Sequence, residues 1–159
     1  MSRRGRLRLP PAVLNAILRA TVRPSLARVE DPEAMRVRFE RRVRMMFRLP
    51  RGAGLARETL RARGREVPGA RLSPQGARPG RMLLYLHGGG YVAGSHRTHA
   101  HVAARLAGAS RTAAFLPDYA LAPERPFPAA YEDTLAAYAA LAGTGARVAV
   151  AGDSAGGGL

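Results

Sequence analysis

The sequence predicts an α/β fold, a mainly parallel sheet with flanking helices, and three observations predict it. Three short apolar runs, Met82–Leu86, Thr112–Leu116 and Arg147–Ala151, begin 30 and 35 residues apart, the length that a strand, a crossover helix and a parallel strand require. The stretches between them carry apolar residues at helical spacing. The first and third runs each lead into a glycine-rich turn, His87-Gly-Gly-Gly-Tyr91 and Gly152-Asp-Ser-Ala-Gly156. With 159 residues, 47% of them hydrophobic and 23% charged, the chain has enough apolar material for one domain of ordinary size.

The elements follow in order. Val13, Leu14, Ile17 and Leu18 make a helix over Pro11–Val22, which Pro24 stops. Asp31 caps a second helix, with Pro32 in its first turn and Glu33 at the positive end of its dipole. Its apolar stripe is Met35, Phe39, Val43, Met46 and Phe47, arginines surround the stripe, and Pro50 ends it. Gly52-Ala-Gly54 reads as a linker. Residues 55–81 have weak strand character broken by Gly64, Pro68-Gly69, Pro74 and Pro79-Gly80, which suits an antiparallel hairpin at a sheet edge. After the strand at 82–86, a helix runs from Ser95 or Thr98 to Leu106, stopped by Gly108. After the strand at 112–116 and a proline-rich loop, Tyr131, Leu135, Tyr138 and Leu141 give a helix closed by Gly143.

Composition excludes several classes of function. There is no Cys, hence no disulfide scaffold, thiolate metal site or Cys nucleophile. No run approaches the roughly 20 apolar residues of a membrane span. The start, Met1-Ser-Arg-Arg-Gly-Arg6, imitates the basic region of a signal peptide but lacks a clean apolar stretch behind it. The expectation is a soluble, cytoplasmic protein. All 26 basic residues are Arg, and residues 1–81 hold 21 of them against six acids, while residues 82–159 hold five of each. The basic half attracts anions of any kind. With no zinc-finger spacing or RNA-binding aromatic motif beside it, specific nucleic-acid binding is not expected. His96, His99 and His101 do not suggest a metal site, because 96 and 99 share a helical face and 101 points away. They read as surface histidines at a helix start.

The two glycine motifs carry the chemistry. Gly152-Asp153-Ser154-Ala155-Gly156 fits G-x-S-x-G, in which Ser sits on a strained strand-to-helix turn. Side chains at the flanking glycines would collide as the chain reverses. Gly88, Gly89 and Gly90 leave backbone N–H groups uncovered, the geometry of a hole for a developing oxyanion. Neither motif is followed by Gly-Lys-Ser/Thr, so a P-loop is excluded. A chymotrypsin-like reading of His87, Asp118 and Ser154 has the right chain order but the wrong fold, since that family is built of two β-barrels.

Together, His87-Gly-Gly-Gly-Tyr91, Asp118-Tyr-Ala-Leu-Ala-Pro-Glu124, Phe127-Pro-Ala-Ala-Tyr-Glu-Asp133 and Gly152-Asp-Ser-Ala-Gly-Gly157 resemble the hormone-sensitive-lipase branch of the α/β-hydrolases. The resemblance implies hydrolysis of carboxylic esters of short to medium acyl chain, without a cofactor or metal. By position it makes Ser154 the nucleophile and the N–H groups of Gly89, Gly90 and Ala155 the oxyanion hole. His87 and Gly88 order that loop, and Gly152, Asp153 and Gly156 shape the elbow. Asp118 and Glu124 brace the loop after the second parallel strand. The family usually has Arg where this chain has Ala120, so Asp118 or Glu124 is expected to lack an ion-pair partner.

The resemblance divides the chain into a basic helical cap segment, residues 1–54, and the first half of a hydrolase core, residues 55–159. Residues 1–50 are expected over the mouth of the Ser154 site. The family's triad runs Ser, acid, His, yet all four histidines here precede Ser154. The chain therefore reads as truncated just after the elbow and inactive alone, with strand 147–151 as an unpaired edge that invites self-association. Two alternatives are a non-catalytic small-molecule binder on the same scaffold and a basic anion-binding protein acting through residues 1–81.

Overall fold

The computed structural model describes residues 10–13, 15–17, 19–20 and 31–159. The chain forms two compact units, residues 1–31 and residues 32–159. In the first, the described positions between 11 and 20 are helical. The end expected near Val22, and Pro24, lie outside the described residues.

The second unit opens with helix α1, Pro32–Met46, where the stripe and the Asp31-Pro32-Glu33 start predict it. Strands β1, Leu55–Ala62, and β2, Arg65–Leu72, make the antiparallel hairpin. They are followed by β3, Arg81–Leu86, helix α2, His96–Ser110, and β4, Ala113–Pro117. Helix α3, Ala129–Ala142, leads into β5, Arg147–Gly152, and a 3₁₀ turn at Ser154–Gly157. The sheet order is β1-β2-β4-β3-β5. β3 pairs in parallel with both β4 and β5, and β2 pairs antiparallel with β4. The hairpin thus occupies one edge, as its broken strand pattern predicts.

Alternation along the strands sorts the core onto two faces. Leu83 and Tyr85 of β3 pack with Ala100, Ala103, Ala104 and Ala107 of α2. Met82, Leu84 and Leu86 point the other way, against Phe115 and the α3 residues Ala136, Ala137 and Leu141. The alanine-rich helix faces let both helices approach the sheet closely.

Two elements differ from expectation. Helix α2 runs through Gly108 to Ser110, because an Arg111 in the left-handed region (φ 50°) closes it. The Thr112 N–H then donates to Ala107 O at 3.0 Å. Glycine is favoured at such a stop but not required. Strand β5 is apolar yet not buried: Val150 is 54% exposed. Among the described residues β5 pairs only with β3, and an edge strand shields less of itself than a central one.

Candidate active site

Strands β3 and β5 lie side by side in register from Arg81↔Arg147 to Leu86↔Gly152, so the glycine motifs emerge next to each other at the same end of the sheet. Open α/β sheets bind ligands at this carboxyl end. Close packing of backbone on backbone dictates the residue types. A Cβ on Gly156 would lie 2.1 Å from Leu86 O and 2.7 Å from His87 O, and one on Gly152 would lie 2.3 Å from Gly156 O. Only glycine lets the turn after β5 fold back onto the end of β3. Ser154 itself is exposed and adopts φ 50°, a conformation that costs a non-glycine residue about 1 kcal/mol or more.

Asp153 ties the two motifs together. Its Oδ1 accepts from Gly88 N at 3.1 Å and from the Tyr85 hydroxyl at 2.9 Å. Its Oδ2 lies 3.6 Å from His99 Nε2. Burial, with the bond to Asp153 next in weight, holds the Tyr85 phenol well above its usual range, so it stays a donor. Burial also lowers His99, against the pull of Asp153. Sequence reasoning gave Asp153 only a place in the elbow and gave Tyr85 and His99 none here. Tyr at an inward position of an apolar strand was the available signal, since a buried phenol needs a partner.

The glycine loop turns on itself, with Val92 N and Ala93 N both donating to Gly89 O, and Gly89 and Gly90 at φ 134° and 63°. The N–H groups of Gly89, Gly90 and Ala155 donate to no acceptor among the described residues. His87 is fully buried, stacked on Tyr119 at 4.1 Å. Its Nδ1–H donates to Gly88 O at 3.0 Å, and Nε2 is unpartnered among the described residues. Burial pushes its pKa down to about 4. The Tyr119 hydroxyl donates to His87 O at 2.5 Å. A cavity of about 430 Å³ opens beside this loop, between Gly90, Tyr91, Phe127, Tyr131 and Gly158.

The bracing loop corrects two expectations. Neither Asp118 nor Glu124 lacks a partner. Asp118 accepts from His96 N and Nδ1, both at 2.6 Å, and therefore does not serve His87. Glu124 takes a two-pronged pair from Arg36 of α1, at 2.8 and 2.9 Å. The same guanidinium donates to Val92 O and Ala122 O at 2.7 Å, so α1 grips both loops next to the glycine motif. Nor are the three histidines on α2 surface residues. His96 is buried, His99 faces Asp153 and His101 stacks on Phe47 at 4.3 Å. His96 and His99 meet carboxylates contributed by distant segments, and His101 is half-buried under Phe47 of the segment after α1, contacts that helical spacing alone does not reveal. Among the described residues no group of His, Asp and Glu forms a metal site, and no helix is long and apolar enough to cross a membrane.

Comparison with known proteins agrees with this geometry. The α/β hydrolase fold family matches residues 83–159. An acetyl-hydrolase of Streptomyces hygroscopicus is 51% identical over 83 residues, 50% of this chain and 28% of that protein. Hormone-sensitive lipase of Bos taurus is 40% identical over 108 residues, 63% of this chain and 14% of the lipase. A hormone-sensitive lipase from a metagenome library superposes with a TM-score of 0.80 at 35% identity, over 96% of this chain and 50% of that one. An esterase of the bacterial hormone-sensitive lipase family gives 0.75 at 36%, over 95% and 50%. The chain belongs to the α/β-hydrolase fold, in its hormone-sensitive-lipase branch. It spans about half the length of these solved structures and under a third of the two curated relatives.

Proposed function

We propose that this chain carries the nucleophile and oxyanion half of a serine esterase acting on carboxylic esters of short to medium acyl chain. The observation that carries the reading is the trio of uncommitted N–H groups at Gly89, Gly90 and Ala155, beside a serine held in the left-handed region. Ser154 Oγ attacks the ester carbonyl, the carbonyl oxygen takes up negative charge, and the three N–H groups stabilise it in the transition state. His87 and Gly88 set the loop's shape, Gly152, Asp153 and Gly156 set the elbow, and α1, through Arg36, holds the loops beside the site. The cavity beside Gly90 takes one arm of the substrate. No cofactor is required.

A serine hydroxyl needs a base to take its proton. The four histidines are engaged elsewhere: His87 with Gly88, His96 with Asp118, His99 with Asp153 and His101 with Phe47. None bonds Ser154, so the 159-residue chain alone is expected to turn over no ester, the base and its acid being supplied by other residues. That same observation favours a second reading, a pocket that binds an ester or acid without cleaving it. The test is incubation with a fluorophosphonate probe and a short-chain chromogenic ester, alone and with a separately expressed C-terminal half from a related esterase. Labelling and turnover that appear only on complementation and vanish in Ser154→Ala support the esterase reading. Ligand binding without either supports the binder, and turnover by the isolated chain overturns the assignment of the histidines.

A further inference from the structure

A second cavity, of about 560 Å³, lies between the C-terminal end of α1, the start of β1 and the first turns of α2. It does not touch Ser154 or either glycine motif. Arg44, Arg48, Arg57 and Arg97 line it, together with His96 and His101, and no carboxylate does. Its apolar wall is made by Val43, Phe47, Leu49 and Leu55. Phe47 lies flat on His101, the ring planes 6° apart, and burial, with Arg105 and His99 next, holds that imidazole below its ordinary range. The stacked pair gives the cavity a flat aromatic wall.

The cations around this wall are not equivalent. Arg97 is tied to Glu40 at 3.1 Å, and Arg44 stands 3.9 Å from the same carboxylate. The nearby acids are also taken, Glu58 by Arg71 and Asp118 by His96. The side chains of Arg48 and Arg57 have neither hydrogen bond nor ion pair among the described residues. Two uncommitted guanidinium groups therefore flank a concave apolar surface. Guanidinium recognises a carboxylate through paired N–H donors, and a concave, mostly apolar pocket with a few placed polar groups is the usual form of a small-molecule site.

We propose that this cavity binds a monomeric amphiphilic carboxylate, its head held by Arg48 and Arg57 and its tail against Phe47 and Leu55. The site is independent of the esterase reading. Charge complementarity selects the head: a neutral alcohol leaves both guanidiniums unanswered, and a tail-less anion leaves the apolar wall wet.

The test titrates the full chain with sodium octanoate below its micellar concentration, followed by ¹H–¹⁵N spectra that include the arginine side chains. Octanol and acetate serve as controls. The expected result is saturable binding that shifts the signals of residues 43–57 and 96–101. Arg48→Gln/Arg57→Gln should weaken it at least tenfold with an unchanged urea midpoint, since neither side chain bonds to protein. Octanol binding as tightly as octanoate, unchanged binding in the double variant, the absence of saturation, or shifts confined to residues 90–91 and 120–131 would each overturn the proposal. The last pattern would place the acid beside Gly90 instead, which bears on the esterase pocket and not on this one.

Discussion

Replacing Asp133 by Ala should destabilise the chain by about 3 kcal/mol, the largest effect expected from any single charged residue here. Asp133 is 2% exposed although it sits on helix α3. Its Oδ2 accepts from the buried Ala120 N–H at 2.9 Å, and its Oδ1 from Arg65 at 2.8 Å and Arg125 at 3.2 Å. Truncation strands the Ala120 N–H, at a cost of about 2 kcal/mol for a buried donor left unpaired. Loss of the arginine contacts adds about 1–2 kcal/mol, a reduced figure because the guanidiniums are 30% and 53% exposed and partly screened. The better helix propensity of Ala returns about 0.5 kcal/mol. Asp133→Asn keeps an acceptor for Ala120 and should cost roughly half as much. Urea unfolding of both variants, with Arg65→Ala to complete a cycle, measures these terms. A loss below 1 kcal/mol in Asp133→Ala, or equal losses in the Ala and Asn variants, would refute the reasoning.

The buried, neutral His87 predicts acid sensitivity. Its folded pKa of about 4 lies below the ordinary 6.5, so the unfolded chain takes the proton first. The stabilisation is complete above pH 6.5 and falls by about 3 kcal/mol as pH drops to 4. Urea midpoints across that range should decline more steeply in the wild type than in His87→Gln; parallel curves would exclude the effect. Gly156→Ala should cost about 3 kcal/mol or prevent folding, because the new methyl meets the Leu86 carbonyl at 2.1 Å. Circular dichroism melts would show it, and a midpoint within a few degrees of the wild type would contradict the close packing. The exposed β5 edge with Val150 outward should make the isolated chain self-associate, seen as a concentration-dependent sedimentation coefficient that Val150→Lys suppresses. A monodisperse monomer would count against it.

What the sequence disclosed was what short spacings encode. The parallel strands, the edge hairpin and both glycine motifs are each specified within a few residues, by alternation, proline placement or consecutive glycines. The partners that fix the site are not. Arg36 meets Glu124 across 88 residues, Arg65 meets Asp133 across 68, and Asp153 meets Gly88 across 65. No local pattern marks such pairs, so Asp118 and Glu124 appeared short of partners, and the α2 histidines appeared exposed. The stop at Gly108 failed for a related reason. A glycine signals that a left-handed residue is tolerated, whereas the end of α2 is fixed by where β4 must begin beneath it.

Ala120 shows how the charge balance of this site is kept. The family's usual arginine is missing there, yet the loop is not left with a bare carboxylate. Ala120 contributes its backbone N–H to Asp133, while Arg65 from β2 and Arg125 from the loop itself bring guanidinium to the same side chain. Arg36 supplies another to Glu124 from α1. A buried or half-buried carboxylate needs a cation and donors nearby, but does not specify which strand or helix delivers them. In a chain whose basic residues are all arginine and crowd its first half, that half can furnish them to the loop of the second. The arginine excess is thus in part internal: among the described residues of 1–81, four guanidiniums (Arg36, Arg61, Arg65 and Arg71) neutralise carboxylates on other elements, and those left over, Arg48 and Arg57 among them, are free to meet an anion from solution.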